Sequence, residues 1–382
     1  MKIKKAYKYR FYPTHKQIEN LAQTFGCCRF VYNTMLDFRD RSYREKQKKV
    51  DYCETSKRLS EMKRTEKYSW LKDVSSVPLQ QSLRHLQTAF VNFWSGRAKH
   101  PTFKKKQNKQ SATYAKSAFK WDGKSLTLAK QSEPLDISFS RGFSGNPTTI
   151  TVSKDTANRY FVSFLVEEVA KPKKRLKKKV GIDLGIKDVV VGSDGFKSGS
   201  PKFTQKYATK LARAQRKLSK KKKGSKNRAK ARHNVAKIHA KIADCRRDFL
   251  HKLSTKLINE NQVIATETLA VKNMVKNHCL SKAIHDSSWG ELLRQLAYKA
   301  QWYGRKLIGI DRWFPSSKRC SKCGWINDRL KLEHRNWICK SCKTRHDRDV
   351  NASKNILAVG QAVSAFGENV RDVSKLGISC SQ

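Results

Sequence analysis

The feature that most constrains this chain is a carboxylate placed inside an apolar stretch, at residues 179–191. Apolar runs lie on both sides of Asp183, and Gly181 and Gly185 flank it. The pattern predicts two paired strands with Asp183 on the first, and the glycines allow other groups to approach closely. Because a buried acid is costly unless a cation neutralises it, Asp183 is a candidate functional carboxylate; the alternative is a surface aspartate in a turn.

The net charge indicates a polyanionic partner. The 382 residues contain 83 Lys and Arg against 31 Asp and Glu, which gives a formal charge of +52. Nucleic acid is the obvious polyanion that would relieve this self-repulsion. We expect no membrane partner, because no run of about 18 apolar residues is present. Neither a signal peptide nor a disulfide pattern is recognisable, which favours a cytoplasmic protein.

The charge is concentrated between Asp194 and Asp244, a stretch without a carboxylate, where 11 of the 20 residues 213–232 are Lys or Arg. Gly224 and Ser225 predict a turn between two helices, so residues 205–258 are expected to form a basic hairpin. A solvated surface is the plain alternative, but so long a run without acids favours a groove that follows a nucleic-acid backbone. The candidate phosphate contacts are Lys220, Lys221, Lys222, Lys223, Arg228 and Arg232.

The first half of the chain predicts a strand-rich domain with a helical insertion. Residues 3–12 alternate as a half-buried strand, and a Thr14–Gln17 capping box predicts a helix, followed by a second helix around residues 30–38. Residues 110–170 predict short antiparallel strands of a small barrel or sandwich, which the first strand would complete. We therefore expect a β-barrel domain (1–13 and 102–177) and a helical domain (14–101). Residues 171–179, of which seven are basic, indicate a flexible joint or a strap that contacts phosphates.

Four cysteines in two Cys-x-x-Cys pairs, 15 residues apart, have the spacing of a zinc ribbon at residues 316–346. Four thiolates leave no open coordination position, so the zinc is expected to be structural; disulfide bonds are the alternative. His334 and His346 are possible substitute ligands. The predicted ligands are Cys320, Cys323, Cys339 and Cys342.

Two further acids occur in settings similar to that of Asp183. Glu267 ends a predicted buried strand, and Asp349 precedes a predicted helix at 350–359, where an N-cap role is the alternative. Three converging carboxylates repel one another unless cations intervene, and a pair of Mg²⁺ ions resolves this. Such a pair supports phosphodiester hydrolysis, so acids and charge together predict a metal-dependent nuclease. A capping box at Ser288 and Glu291 predicts a helix to residue 300, and we expect a poorly ordered tail from about residue 360.

These residues resemble the TnpB family of insertion-sequence proteins, which is related to compact type V CRISPR effectors. The resemblance covers nearly the whole chain, and is carried by Gly-Ile-Asp-Leu-Gly at 181–185 and by segments 29–33, 71–81, 267–274, 316–324 and 347–352. It implies a multidomain α+β protein with a RuvC-like, RNase H-type core (178–315 and 347–382) into which the zinc ribbon is inserted. On this resemblance Asp183, Glu267 and Asp349 match the family's catalytic acids.

The resemblance also implies an activity and its partners. The expected function is an RNA-guided DNA endonuclease, a monomer with one guide RNA from the transposon end, which cuts double-stranded DNA beside a short adjacent motif in the cytoplasm and nucleoid. Gln80 and Gln81 are candidates to read base edges, although two helix-surface glutamines are an equal alternative. A catalytically silent guided repressor and a transposase acting directly on transposon ends are the competing functions. The sequence departs from the family at two positions. At Thr268 the family commonly has Asp or Asn, and little effect is expected. At Lys343 a glycine is usual, and strain in the second knuckle is expected.

Overall fold

A computed structural model describes residues 2–331 and 333–365 of the chain. These residues form two compact units of mixed α and β structure. The first contains the chain up to Val169 together with Lys222–Lys237, and the second contains Ala170–Lys221 together with the chain from Ile238 onward. The predicted subdivision into barrel, helical, nuclease and ribbon domains is finer than this and stays a prediction.

The first unit combines seven strands and three long helices with two short 3₁₀ helices at Glu66–Lys72 and Lys116–Ala118. Its strands are β1 (Lys2–Phe11), β2 (Gln110–Ala115), β3 (Phe119–Trp121), β4 (Leu126–Leu128), β5 (Ile137–Ser138), β6 (Pro147–Lys154) and β7 (Tyr160–Val169). Its helices are α1 (His15–Lys46), α2 (Tyr52–Arg64) and α3 (Ser76–Trp94).

The sheet of the first unit has the order β2-β6-β7-β1-β5, and its neighbouring strands are antiparallel. Strand β1 pairs with β7 along its whole length, from Lys2 opposite Val169 to Phe11 opposite Tyr160. The first strand therefore does complete the later strands, as predicted. Among the described residues β2 and β5 are the two edges and are not paired with each other, so a closed barrel stays a prediction.

Helix α1 corrects the expectation of two helices after Thr14. The capping box is present, but the helix then runs without interruption for 32 residues. The reason is a continuous apolar stripe in which Leu21, Cys28 and Met35 recur every seven residues and are all buried. Burial of this stripe outweighs the cost of about 1 kcal/mol for Gly26 in the helix interior.

In the part of the second unit that the structure describes there are six strands and most of the remaining helices. Its strands are β8 (Lys179–Asp183), β9 (Val191–Gly192), β10 (Val263–Glu267), β11 (Lys306–Ile310), β12 (Asn336–Ile338) and β13 (Arg345–Asp347). The helices are α4 (Phe203–Lys206), α5 (Ala208–Ser219), α6 (Lys226–Glu260, which begins within the first unit), α7 (Val271–Met274), α8 (His278–Ser287), α9 (Trp289–Tyr303) and α10 (Arg348–Ala365).

A four-stranded sheet, β11-β10-β8-β9, forms the centre of the second unit. Strand β10 runs parallel to both β8 and β11, and β9 is antiparallel to β8. The strands carry continuous apolar runs, as is typical of a parallel sheet that is covered on its faces. Val180 and Ile264 are buried with Leu257 of α6 and Leu292 of α9 in one apolar core.

Helix α10 packs on this sheet at two glycines. A Cβ atom on Gly181 of β8 would lie 2.1 Å from the carbonyl oxygen of Ser353 and 2.6 Å from the amide nitrogen of Leu357. A Cβ on Gly360 would lie 2.6 Å from Cβ of Ala265 in β10. The close approach predicted at Gly181 is therefore confirmed, and its partner is the helix that begins beside Asp349.

Three other predictions of local structure differ from the observed structure. Residues 360–365 belong to α10, so the expected tail does not begin at 360; residues from 366 onward lie outside the described residues. Ser288 does not form a capping box, because it adopts a φ of +52° and its hydroxyl donates to the carbonyl of His285, at the end of α8. The basic joint is held in place, since Arg305 donates to the carbonyl of Lys174 and Gln262 accepts from the amide of Leu176.

Candidate active site and zinc ribbon

Asp183 and Glu267 lie side by side at one edge of the central sheet. Each is the last residue of its strand, and the parallel register pairs Ile182 with Thr266, directly before the two acids. The carboxyl ends of parallel strands meet at the same edge of a sheet, where α/β proteins usually bind their ligands. Two acids 84 positions apart in sequence thus become neighbours.

Asp349 reaches the same region from the first turn of α10. The N-cap role considered for it belongs instead to Asp347, whose Oδ1 accepts from the amides of Asp349 and Val350, both at 3.1 Å. Because Asp347 caps the helix, the carboxylate of Asp349 is not needed for capping and is available at the site. Lys197 in turn pairs with Asp347 at 2.7 Å.

The pKa of Asp183 responds to both of the other acids. Burial, followed by the charges of Glu267 and Asp349, raises the pKa of Asp183 from 3.8 to about 7, and Arg348 opposes this shift. Burial also raises the pKa of Glu267, against the effect of its hydrogen bond with Ser316. A buried acid whose pKa is raised further by neighbouring acids is typical of a site that binds cations.

Two neighbouring side chains hold the acids in place, and sequence reasoning missed both. The hydroxyl of Ser316 donates to Oε1 of Glu267. Nη1 of Arg335 lies 3.3 Å from Oδ2 of Asp349. Ser316 lies in segment 316–324, which carries the family resemblance, so that segment could have indicated a role for it. Arg335 lies in no such segment and carries no local signal.

The donor set fits a hard cation, because all three side chains offer carboxylate oxygens. Among the described residues, only the four ribbon cysteines bring one ligand atom each within 4.8 Å of all the others. The three carboxylates are therefore spread more widely than the ligands of a single ion.

A groove of about 1010 Å³ opens at Glu267. Its wall is formed largely by the segment that follows β11, including Phe314 and Ser316. Glu267 and Glu333 are its acidic residues. The basic residues that line it are Arg312, Lys318, Lys331 and Arg348. The groove, with four basic residues against two acidic ones, is thus suited to a negatively charged chain that reaches Glu267.

The four predicted cysteine ligands come together as one cluster. Sγ of Cys320 lies 3.6 Å from Sγ of Cys342, and the same distance separates Cys323 from Cys339. Tetrahedral coordination with Zn–S bonds of 2.3 Å requires sulfur atoms roughly 3.8 Å apart, so the cluster fits zinc. Cys320 and Cys339 are buried, with Leu330 and Trp337, in a small core of their own. No disulfide links any of the described cysteines.

The two histidines near the ribbon differ in their positions. Nε2 of His346 lies 3.1 Å from Sγ of Cys320, and its ring packs against Trp337 at 4.7 Å. His346 therefore supports the cluster from outside, whereas His334 is exposed. Lys343 adopts a φ of +58°, so the strain expected where the family has glycine is confirmed.

The candidate nucleic-acid contacts lie at the surface of their elements. Gln80 is exposed and Gln81 half-buried on α3. Lys220 and Lys221 belong to the second unit, and the other four basic candidates to the first. Lys220, Lys221, Lys222, Lys223 and Arg232 are exposed, and Arg228 is half-buried in α6. The predicted turn between two basic helices is confirmed by α5 and α6. Within the described part of the chain, every helix is too short or too polar to cross a bilayer.

Three family models match successive parts of the chain. One described as a probable transposase (OrfB_IS605) matches residues 162–278, one described as a Cas12f1-like TNB domain matches 289–356, and one described as a helix-turn-helix domain matches 1–48. Across the described residues of that last segment, the structure contains β1 and one continuous helix rather than two helices joined by a turn.

The chain is similar to curated proteins and to a solved structure. It is 51% identical to a "Putative RNA-guided DNA endonuclease" of Streptomyces pristinaespiralis, with 97% of this chain and 92% of that protein covered. It is 33% identical to the "Putative RNA-guided DNA endonuclease InsQ" of Escherichia coli K12, with 97% and 96% covered.

In the solved structure of a Cas12f1–sgRNA–target DNA complex, the protein chain superposes with a TM-score of 0.58 at 12% identity, over 93% of this chain and 98% of the other. At this identity the likeness concerns the fold alone. Because the two relatives match over nearly their full lengths, the chain belongs to the TnpB (OrfB_IS605) family.

Proposed function

We propose that this protein is a transposon-encoded, RNA-guided DNA endonuclease that hydrolyses phosphodiester bonds with the help of Mg²⁺. The observation that carries the proposal is that Asp183 and Glu267 end neighbouring parallel strands, while the charges of Glu267 and Asp349 both raise the pKa of Asp183. A groove lined by basic residues opens at Glu267. The names of the two curated relatives support the same activity.

The proposed core is a RuvC-like RNase H fold, in which β8, β10 and α10 each present one acid. Mg²⁺ bound to these acids would activate a water and stabilise the leaving oxygen. The protein itself orients the acids: Ser316 fixes Glu267, and Arg335 fixes Asp349. Burial and mutual repulsion keep Asp183 partly protonated near neutral pH until cations bind.

The proposed role of zinc is structural. Four thiolates complete its coordination, so no position remains for a substrate. The ribbon ends at β13, and α10 begins at the next residue, so a folded ribbon defines where Asp349 starts its helix. Zinc is therefore expected to affect cleavage through the position of α10.

The proposed partners are one guide RNA from the transposon end and a double-stranded DNA target next to a short motif. A monomer with one RNA, working in the cytoplasm and on the nucleoid, is the simplest assembly. The lysines of residues 220–223, with Arg228 and Arg232, would contact phosphates, and Gln80 and Gln81 would read base edges. The proposed first unit is a β-barrel with an inserted helical domain.

The test is guided cleavage with a matched carboxylate control. RNA that co-purifies with the protein is sequenced, and DNA matching it is incubated with the complex and Mg²⁺. We expect the wild type to cut and Asp183→Asn to bind but not cut. Asp188→Asn should cut normally, because asparagine keeps the side-chain oxygen that accepts from the amide of Gly199. Bound but uncut matched DNA would instead indicate a silent repressor, and joining of transposon ends without RNA would indicate a transposase.

A further inference from the structure

Trp313 is an exposed indole beside the groove that contains Glu267. Its side chain is 81% exposed, the largest value among the exposed large apolar side chains of the described residues. Its chain neighbours Arg312 and Phe314 both line the groove. So large an exposed apolar side chain, between two residues that line a charged groove, is unusual for a folding role and points to a ligand.

The turn that carries Trp313 is held in a defined conformation. Oδ1 of Asp311 accepts from the amide of Trp313 at 2.8 Å, and the carbonyl of Phe314 accepts from the amide of Ser316 at 2.7 Å. The ring of Phe314 packs against the small apolar cluster that includes Ile310. Phe314 therefore anchors the turn by packing inward, whereas the preceding residue, Trp313, keeps its indole exposed. The indole is thus already accessible before any ligand binds.

A cation lies beside the indole of Trp313. The guanidinium of Arg312 lies 5.4 Å from the centre of the Trp313 ring, within the range of a cation–π contact. Lys318, Lys331 and Arg348 continue the basic lining toward Glu267. Aromatic faces alternating with cations bind single-stranded nucleic acid, because bases stack on the rings while the cations hold phosphates. A base inside a duplex has both faces covered, so the ligand has to offer an unpaired base.

We propose that Trp313 stacks on an unpaired base of the DNA strand that enters the groove, and so positions the adjacent phosphodiester at the carboxylates. The proposal rests on the proposed function for its readout of cleavage. The proposed stacking of Trp313 on a single strand does not depend on that function, because it is argued from the exposed indole and the neighbouring cations. Trp313 is a positioning residue, since it touches a base and not the reacting atoms.

The first experiment does not require cleavage. The full-length protein is mixed, without Mg²⁺, with a short single-stranded DNA that contains 5-iododeoxyuridine and matches no guide, and is irradiated. We expect a cross-link that mass spectrometry maps to residue 313. Trp313→Phe should keep it, and Trp313→Ala should lose it. Trp94→Ala is the matched control, because Trp94 is also exposed, at 54%, but belongs to α3 of the first unit.

The second experiment measures single-turnover cleavage of matched DNA. Loss of one base–aromatic stack predicts a rate about 5- to 150-fold lower for Trp313→Ala, with Trp313→Phe close to the wild type. A series of targets places an abasic site at successive positions. At one position the abasic site should lower the cleavage rate of the wild type but not that of Trp313→Ala. Equal zinc contents and unfolding midpoints show that the variants are folded.

The outcomes separate the two proposals. Absence of a cross-link at residue 313, or cleavage by Trp313→Ala at the wild-type rate, overturns the positioning role of Trp313 and leaves the nuclease proposal standing. A cross-link at residue 313 in a wild type that does not cut matched DNA supports stacking and overturns the proposed nuclease function instead.

Discussion

Arg335 and Asp349 form an ion pair in which Nη1 lies 3.3 Å from Oδ2, and the carbonyl of Arg335 also accepts from the amide of Arg348 at 2.8 Å. A residue just before β12 is thereby tied to the first turn of α10. The arginine side chain is 54% exposed, so the pair adds little to stability. Its importance is geometric, because it fixes where the third carboxylate points.

Arg335→Ala is expected to slow cleavage about 10- to 100-fold, the usual effect of removing a residue that orients a metal ligand. Arg335→Lys should recover only part of the rate, since an ammonium cannot reproduce the shape of a guanidinium. The measurement is single-turnover cleavage at saturating Mg²⁺. Arg329→Ala, an exposed arginine of the same ribbon, is the control. Equal rates for Arg335→Ala and Arg329→Ala would show that Arg335 does not position Asp349.

Asp183 predicts a pH dependence of stability in the absence of divalent ions. Its pKa is about 7 in the folded protein against 3.8 ordinarily, so the folded state binds the extra proton between these values. Stability should therefore fall as pH rises from about 4 to about 7 and stay level above, by an amount of the order of 4 kcal/mol for a three-unit shift. Asp183→Asn should lack this slope.

The measurement is the thermal midpoint of both proteins across this pH range, with and without Mg²⁺. Added Mg²⁺ should stabilise the wild type above pH 7 more than it stabilises Asp183→Asn, because the ionised acid gains a partner. Parallel curves for the two proteins would contradict a raised pKa at Asp183.

Gly181→Ala should displace α10 from the sheet. A Cβ there would meet the backbone of Ser353 and Leu357, which cannot yield as a flexible side chain would. We expect a loss of about 1–3 kcal/mol in the free energy of unfolding, together with a loss of cleavage. Gly290→Ala is the control, because a Cβ at Gly290 meets nothing within 4 Å. As a helical substitution it should stabilise by up to about 1 kcal/mol. Denaturant unfolding measures both, and equal effects would contradict the close packing of α10.

Lys343→Gly should strengthen the ribbon. Lys343 adopts the left-handed conformation at a φ of +58°, while its amide donates to the carbonyl of Cys339 at 2.9 Å. Glycine removes the strain and keeps the hydrogen bond, a gain of about 1 kcal/mol. The chelator concentration that releases zinc should rise. Lys340 lies in the same knuckle but does not have a positive φ, so Lys340→Gly should lower the chelator concentration that releases zinc. A lower concentration for both variants would show that Lys343 is unstrained.

The lysines of residues 220–223 should contribute to RNA binding through charge. Replacing all four by alanine should reduce the slope of log affinity against log salt by roughly 3, since each contact to a single strand contributes about 0.7. The measurement is a salt titration of guide-RNA binding. Arginine at the same four positions keeps the charge and should keep the slope. An unchanged slope for the alanine variant would show that this loop only faces solvent.

The elements that follow from local pattern could be predicted from the sequence. Strand β8 with Asp183 and strand β10 with Glu267 are marked by apolar runs that end in an acid, and the ribbon cysteines by their spacing. The parallel pairing that makes the two acids neighbours depends on the helices that cover the sheet. It cannot be predicted from the sequence of either strand alone. From the residues alone the convergence of the acids is a hypothesis, and the family resemblance supplies the topology for it.

The features that escaped prediction depend on tertiary contacts. The pairing of Arg335 with Asp349 requires the ribbon to fold back onto α10, and the capping of α10 by Asp347 depends on which of two nearby aspartates the backbone presents. The continuity of α1 through Gly26 is decided by burial of its stripe. At Ser288 the end of α8 takes the hydroxyl that the sequence pattern assigns to α9.

The position of the three acids along the chain has a consequence during protein synthesis. Ribosomes complete β8 and β10 long before Asp349 emerges, and α10 has to seat on Gly181 before the third acid is in place. A translation product that stops inside the ribbon keeps the basic helices and two acids but lacks the last one. Such a fragment would lack one of the three proposed Mg²⁺ ligands and is expected not to cut DNA.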